Sequence, residues 1–317
     1  MNKNVLVLLP VSEKDKAILE ESGPDCSFLY ADRKQLTFDM VQKANIIIGN
    51  PPIDMVRASP NLEWLQLNSA GVGEYINEGV LREDVILTNA SGAFGLAISE
   101  CMLAFLLSIY KKLHLYRDNQ AKALWKNEGK VKSVQDSVAL IVGLGDIGRE
   151  FARRLKTLGA YTIGIRRKNP DKPDYVDELH FMDQLEALLP KADIVALSLP
   201  STPSTYHVIN RRTIGLMKKD AVLINVGRGT AIDTEALCDA LEAGHLLGAA
   251  LDVTDPEPLP AEHRLWKIKN VIITPHVTGG YSLDDIYNKI LRIAARNLKA
   301  FLTGQEMESV VDKTAGY

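Results

Sequence analysis

Val138-Ala139-Leu140-Ile141-Val142-Gly143-Leu144-Gly145-Asp146-Ile147-Gly148 reads as a buried strand that runs straight into a GxGxxG turn. Five consecutive apolar residues suit a strand covered on both faces, and residues 149–158 continue in a helical pattern. A GxGxxG alone is a weak signal, since glycines mark ordinary turns too. A strand before it and a helix after it are the context that makes it a dinucleotide-phosphate turn. In that reading Gly143 permits the tight turn, Gly145 lets the backbone approach a pyrophosphate, and Gly148 packs the helix on the strand. Leu144, Asp146 and Ile147 complete the turn, and the first helical N–H groups lack intrahelical acceptors and so favour an anion.

The end of the next strand decides between cofactors. An Asp or Glu about 20 residues on would hold the ribose 2′-hydroxyl of NAD. This chain carries Arg166, Arg167 and Lys168 there. A carboxylate repels a 2′-phosphate, whereas an arginine fork pairs with it and can stack on adenine. One such contact is worth roughly 1.5–3 kcal/mol. The expectation is NADP preferred, with NAD possible; the competing reading is a solvated basic turn.

Outward from this turn, strand-length apolar runs alternate with helical patterns. Strands are expected over 5–9, 26–30, 46–48, 64–67 and 85–88, then over 138–142, 161–165, 194–199, 222–226, 248–251 and 271–274. Long helices are expected over 94–112 and 282–302. Such alternation predicts an α/β protein with parallel sheets, here as two doubly wound units. The smaller unit is expected to be discontinuous, 1–102 plus 283–317, and to bind substrate. The larger, 103–282, is expected to bind the dinucleotide.

Bulk properties exclude several classes. A net charge of −3 over 317 residues provides no field that draws nucleic acid or an anionic membrane. Cys26, Cys101 and Cys238 show no metal spacing, and so sparse a set fits a reducing, cytoplasmic setting. The apolar run after Asn4 is short, ends at Pro10 and offers no small-residue cleavage site, so it reads as a strand rather than a signal peptide.

Three motifs supply residues for hydride chemistry on a carbonyl, which needs a carboxylate holder, a carbonyl polariser and a proton donor. Ile224-Asn225-Val226-Gly227-Arg228-Gly229 ends a strand in a glycine-flanked arginine suited to a bidentate carboxylate. Leu251-Asp252-Val253-Thr254-Asp255-Pro256-Glu257-Pro258 holds Glu257 between two prolines. Thr274-Pro275-His276 places a histidine at a strand's carboxyl end, where open α/β sheets keep their sites. Alone, each reads as a surface arginine, a proline-rich loop or a structural histidine. Together they outweigh those readings, because a carboxylate beside His276 would stabilise the imidazolium and keep a proton available for transfer.

With these motifs the chain resembles the D-isomer-specific 2-hydroxyacid dehydrogenases over nearly its whole length, and most nearly the glyoxylate/hydroxypyruvate reductases among them. The resemblance rests also on Ser69-Ala70-Gly71-Val72-Gly73, Asn89-Ala90-Ser91-Gly92 and Leu199-Pro200-Ser201-Thr202-Pro203. It implies a flavodoxin-like substrate domain, a Rossmann-like nucleotide domain and a homodimer. It also implies that Arg228, Glu257 and His276 are the catalytic set, that the backbone N–H groups of Ala70, Gly71 and Val72 hold the substrate carboxylate, and that Arg228 and His276 also bind the substrate. Asp252 is implied to bind the nicotinamide carboxamide, with Pro200 and Val226 along the same half of the cofactor, and Gly227 and Gly279 are also expected to bind the cofactor. The implied activity is reduction of a small 2-keto acid by NADPH to a D-2-hydroxy acid, with no nucleic-acid or membrane partner. Arg166 departs from the Asp found in many members.

Rival expectations are a phosphoglycerate dehydrogenase, a non-catalytic NAD(P)-binding corepressor or sensor of the same fold, and a formate dehydrogenase. The first is disfavoured because residues 68–75 carry no basic side chain for a phosphate and the chain ends at Tyr317 without a regulatory domain. Glu257 argues against the last, whose chemistry needs no acid–base pair.

Overall fold

The computed structural model describes residues 2–57, 59–281 and 283–313. It forms two compact units, one of 1–93 with 281–317 and one of 94–280.

In the first unit, strands β1 (Asn4–Val7), β2 (Ser27–Tyr30), β3 (Ile46–Ile48), β4 (Trp64–Gln66) and β5 (Ile86–Thr88) lie in the order β2-β1-β3-β4-β5. Every pairing is parallel, the flavodoxin-like arrangement. The three isoleucines of β3 are fully covered, as a central strand sandwiched on both faces requires. The closing helix Asp284–Thr303 belongs to this unit. It is tied to the sheet by a buried polar chain. Asn297 Nδ2 donates to Gln66 Oε1 at 2.8 Å, Thr88 Oγ1 donates to the same oxygen, and Trp64 Nε1 donates to Thr88 Oγ1. Every member has a partner, so burial costs little. The helix was expected from residue 282, which lies outside the described residues.

The second unit carries β6 (Val138–Val142), β7 (Tyr161–Ile165), β8 (Glu178–His180), β9 (Ile194–Leu197), β10 (Val222–Asn225), β11 (Gly248–Leu251) and β12 (Val271–Ile273), in the order β12-β11-β10-β9-β6-β7-β8. All are parallel. The order reverses between β6 and β9, the switch point at which a doubly wound sheet opens its ligand crevice. The side chains of β9, β10 and β11 are buried throughout. The α/β class and the paired parallel sheets agree with expectation.

Three details differ from the sequence reading. Strand β8 was not foreseen, because Glu-Leu-His offers one apolar residue and the strand sits at the sheet's edge. The helix expected over 94–112 stops at Tyr110, and Lys112 takes a left-handed φ of 59° before helix Leu113–Ala121 begins. The units divide at 93/94 and 280/281 rather than at 102/103 and 282/283. Helix Gly95–Tyr110 goes with the second unit because Asp146 caps it. The Asp146 carboxylate accepts from Gly95 N at 2.8 Å and Phe94 N at 3.3 Å. A Cβ on Gly95 would stand 2.7 Å from Asp146 Oδ1, so only glycine lets the helix end come this close.

Candidate active site

In a parallel sheet all strands end on one edge. Along that edge of the second unit, Arg166 follows β7, the glycine turn follows β6, and Pro200 comes shortly after β9. Val226, Gly227 and Arg228 follow β10, Asp252 and then Glu257 come after β11, and His276 after β12. From β7 to β12 the sheet order runs β7-β6-β9-β10-β11-β12, so these positions are spread over about 24 Å.

The glycine turn is built as its sequence predicts. Gly143 has φ +100°, and a Cβ there would lie 2.7 Å from Ser198 O, whose own Oγ donates to Gly143 O at 2.7 Å. A Cβ on Gly148 would strike Gly143 O at 2.0 Å, whereas Gly145 has open space above it. Gly143 N and Leu144 N both donate to Ile165 O at 2.9 Å. The N–H groups of Gly145, Asp146 and Ile147 donate to no acceptor among the described residues. An open approach over Gly145 and unengaged N–H groups at the start of helix Asp146–Thr157 fit a dinucleotide pyrophosphate. At the end of β7, the Nε of Arg166 is buried without a partner. A buried guanidinium nitrogen left unpaired costs free energy unless an anion supplies the acceptor. Arg167 and Lys168 follow it, exposed.

Arg228 is held by its neighbours' backbone. Asn225, fully buried, accepts from Gly227 N at 3.1 Å and donates to Arg228 O at 2.9 Å, clasping the turn from both sides. A Cβ on Gly227 would lie 2.6 Å from Leu199 N, and one on Gly229 would lie 1.9 Å from Thr254 O. Both glycines are therefore required by the close approach of the loops after β9 and β11. The Arg228 guanidinium donates to Gly227 O at 2.7 Å and forms no ion pair among the described residues. Its remaining donors suit a carboxylate.

His276 Nδ1 and Glu257 Oε1 are 2.6 Å apart, with 46% and 43% of the two side chains accessible. Nδ1 is thus occupied by the carboxylate, and Nε2 has no hydrogen-bond partner among the described residues. His276 has φ +52°, a left-handed conformation uncommon outside glycine. What holds it is Asp252. Its backbone oxygen accepts from His276 N at 2.8 Å. Its carboxylate, 2% exposed, accepts from Thr274 Oγ1 and Val277 N on one oxygen and from Thr278 N and Thr278 Oγ1 on the other.

A carboxylate offers about four acceptor positions, and the loop's own donors fill those of Asp252, which anchors the loop that carries His276. Pro200 O accepts from Thr205 Oγ1 at 2.7 Å, Val226 N donates to Leu197 O at 3.1 Å, and Gly279 packs on Phe94 and Ile98.

In the first unit, Ala70, Gly71 and Val72 follow β4. The carbonyls here are turned inward. Ser69 O accepts from Ala90 N at 2.9 Å, Ala70 O from Asn89 Nδ2 at 2.8 Å and Gly71 O from Ser69 Oγ at 2.7 Å. The N–H groups of Ala70, Gly71 and Val72 donate to nothing among the described residues. Three consecutive unengaged N–H groups leave donors that suit an anion.

A seven-stranded parallel sheet with a glycine turn at its switch point, an acid–base pair and an unpaired arginine on one edge defines a dinucleotide-dependent α/β enzyme. Residues 103–278 match the family model for the D-isomer specific 2-hydroxyacid dehydrogenase, NAD binding domain. The chain is 33% identical over 272 residues to a glyoxylate reductase of Thermofilum pendens, covering 82% of this chain and 78% of that one. Among solved structures, a D-isomer specific 2-hydroxyacid dehydrogenase family protein of Aeromonas salmonicida is similar, with TM-score 0.87 and 31% identity over 99% of this chain and 100% of that one. An NADPH-dependent glyoxylate/hydroxypyruvate reductase of Sinorhizobium meliloti, solved with NADP and sulfate, has TM-score 0.84 and 26% identity, with both chains fully covered. The chain belongs to the D-isomer specific 2-hydroxyacid dehydrogenase family.

Proposed function

We propose that this protein is a reductase of small 2-keto acids that prefers NADPH and forms D-2-hydroxy acids of the glyoxylate and hydroxypyruvate type. The observation that carries the reading is the order of groups on one sheet edge. Arg166, whose Nε is buried without a partner, stands toward one end, the phosphate turn next to it, and Arg228 and the His276–Glu257 pair toward the other. The Thermofilum and Sinorhizobium relatives bear names that agree with this substrate class.

In this reading residues 94–280 are the nucleotide-binding domain and the other unit the substrate-binding domain. Residues 143–148 take the pyrophosphate. Arg166, Arg167 and Lys168 face the 2′-phosphate, and Pro200, Val226, Gly227 and Gly279 border the nicotinamide half. The bound dinucleotide supplies the hydride. Ala70, Gly71, Val72 and Arg228 hold the substrate carboxylate, and the Arg228 guanidinium polarises the carbonyl as negative charge grows on its oxygen. His276 delivers a proton to that oxygen from Nε2 in reduction and takes it back in oxidation. Glu257 fixes the ring with Nδ1 toward the carboxylate.

A homodimer in the cytoplasm completes the proposal. Leu113, Leu124, Trp125 and Val131 are all exposed within one stretch of the nucleotide unit, an apolar concentration usual at subunit contacts. The deciding experiment is a steady-state assay of NADPH and NADH oxidation with glyoxylate, hydroxypyruvate, pyruvate and 3-phosphohydroxypyruvate. Turnover with the first two, faster with NADPH, is expected. Tight NADPH binding without turnover would point to a sensor, and a preference for the phosphorylated acid to a phosphoglycerate dehydrogenase.

A further inference from the structure

We propose that Asn68 and Tyr281 form a hydroxyl-reading pair that selects 2-keto acids bearing a hydroxyl on C3; this rests on the reductase reading above. Both residues belong to the unit that holds the unengaged N–H groups of residues 70–72. Asn68 precedes Ala70 by two residues, a separation of at most about 7 Å. Its backbone is pinned, because Asn68 N donates to Asn50 Oδ1 at 2.9 Å while Asn50 Nδ2 donates to Ser69 Oγ at 3.1 Å. Its side-chain Nδ2 donates to the Tyr281 hydroxyl at 2.5 Å.

Tyr281 is held in turn. Its ring meets Tyr287 edge to face, with centroids 6.1 Å apart and planes at 89°. The Tyr287 hydroxyl donates to Asp15 at 3.1 Å, and Ser12 N and Oγ donate to the same carboxylate oxygen at 2.9 and 2.7 Å. Burial pushes the Tyr281 phenol up, so it keeps its proton at neutral pH. With 42% of Tyr281 exposed, the pair is accessible.

The chemistry of the pair is specific. With Asn68 donating, the Tyr281 proton and Asn68 Oδ1 are both unused among the described residues. With the amide turned over, the spare donor is the NH2 group and the spare acceptor is the phenolic oxygen. Either way the pair presents one donor and one acceptor, the complement of a hydroxyl. A methyl group or a hydrogen at that place answers neither, and a carboxylate or phosphate answers only the donor. A substrate held by its carboxylate on residues 70–72 and carrying a C3 hydroxyl can meet both.

The test compares kcat/KM for hydroxypyruvate, pyruvate and glyoxylate, with saturating NADPH, in wild-type enzyme, Tyr281→Phe and Asn68→Leu. Wild type is expected to favour hydroxypyruvate over pyruvate. Tyr281→Phe should lower kcat/KM for hydroxypyruvate roughly tenfold, about one hydrogen bond, and leave pyruvate within about twofold. Asn68→Leu, which removes both amide groups, should narrow the ratio at least as far. A wild type that favours pyruvate, or variants that lose activity equally on both acids, would overturn the inference while leaving the reductase reading intact. Failure of wild type on all three acids would instead overturn the reductase reading itself.

Discussion

Glu257 grips His276 at Nδ1, 2.6 Å away, and so fixes which nitrogen of the ring is free to work. A carboxylate in that position selects the tautomer with Nδ1–H and leaves Nε2 facing away from it.

Removing the acid–base group should cost turnover and spare binding. His276→Ala is expected to lower kcat about 10²–10⁴-fold, and Glu257→Gln on the order of 10²-fold, with the NADPH Kd within about twofold of wild type in both. Fluorescence titration and steady-state kinetics measure the two quantities. Wild-type turnover in His276→Ala would remove this residue from the mechanism.

The Asp252 anchor yields a different signature. Thr278→Val deletes one of four bonds to a buried carboxylate, and a hydrogen bond to a charged group is worth about 1.5–3 kcal/mol. Thermal unfolding should register a loss of that order, and kcat should fall as the His276 backbone relaxes from φ +52°. NADPH affinity should hold. Weakened NADPH binding with unchanged kcat would mean that Asp252 touches the cofactor after all.

Arg166→Asp should reverse cofactor preference. An acid at the end of β7 suits a ribose hydroxyl and repels a 2′-phosphate. The ratio of kcat/KM with NADPH to that with NADH is expected to drop at least tenfold. An unchanged ratio would leave Arg166 as part of a solvated turn.

The glycines of the phosphate turn separate binding from folding. Gly145 has open space over it, so Gly145→Val should fold with near-wild-type Tm yet bind NADPH at least tenfold more weakly. Gly148→Ala places a Cβ 2.0 Å from Gly143 O and should lower Tm. Equal destabilisation in both, read by calorimetry, would contradict the assigned roles.

Much of this was legible because the signals are local. Apolar runs such as 138–142 and 222–224 mark central parallel strands by themselves, and the spacing of Gly143, Gly145 and Gly148 carries its own steric logic. The acid–base pair was legible as residue types at strand ends. What stayed hidden depends on partners distant in sequence. Asp252 finds its donors 22–26 residues away, and Ala70 O is turned inward by Asn89, 19 residues on. The left-handed break at Lys112 has no residue signature, since lysine ordinarily continues a helix. β8 escaped because an edge strand with charged ends lacks the apolar run that betrays a buried one.

The most direct test of hydride transfer follows the hydrogen itself. The enzyme is incubated with NADPH carrying two deuterium atoms at the nicotinamide C4 and with hydroxypyruvate, and the product is analysed by mass spectrometry and chiral chromatography. One deuterium on C2 of the D-2-hydroxy acid is the predicted result. A product without deuterium, or one of the L configuration, would contradict it.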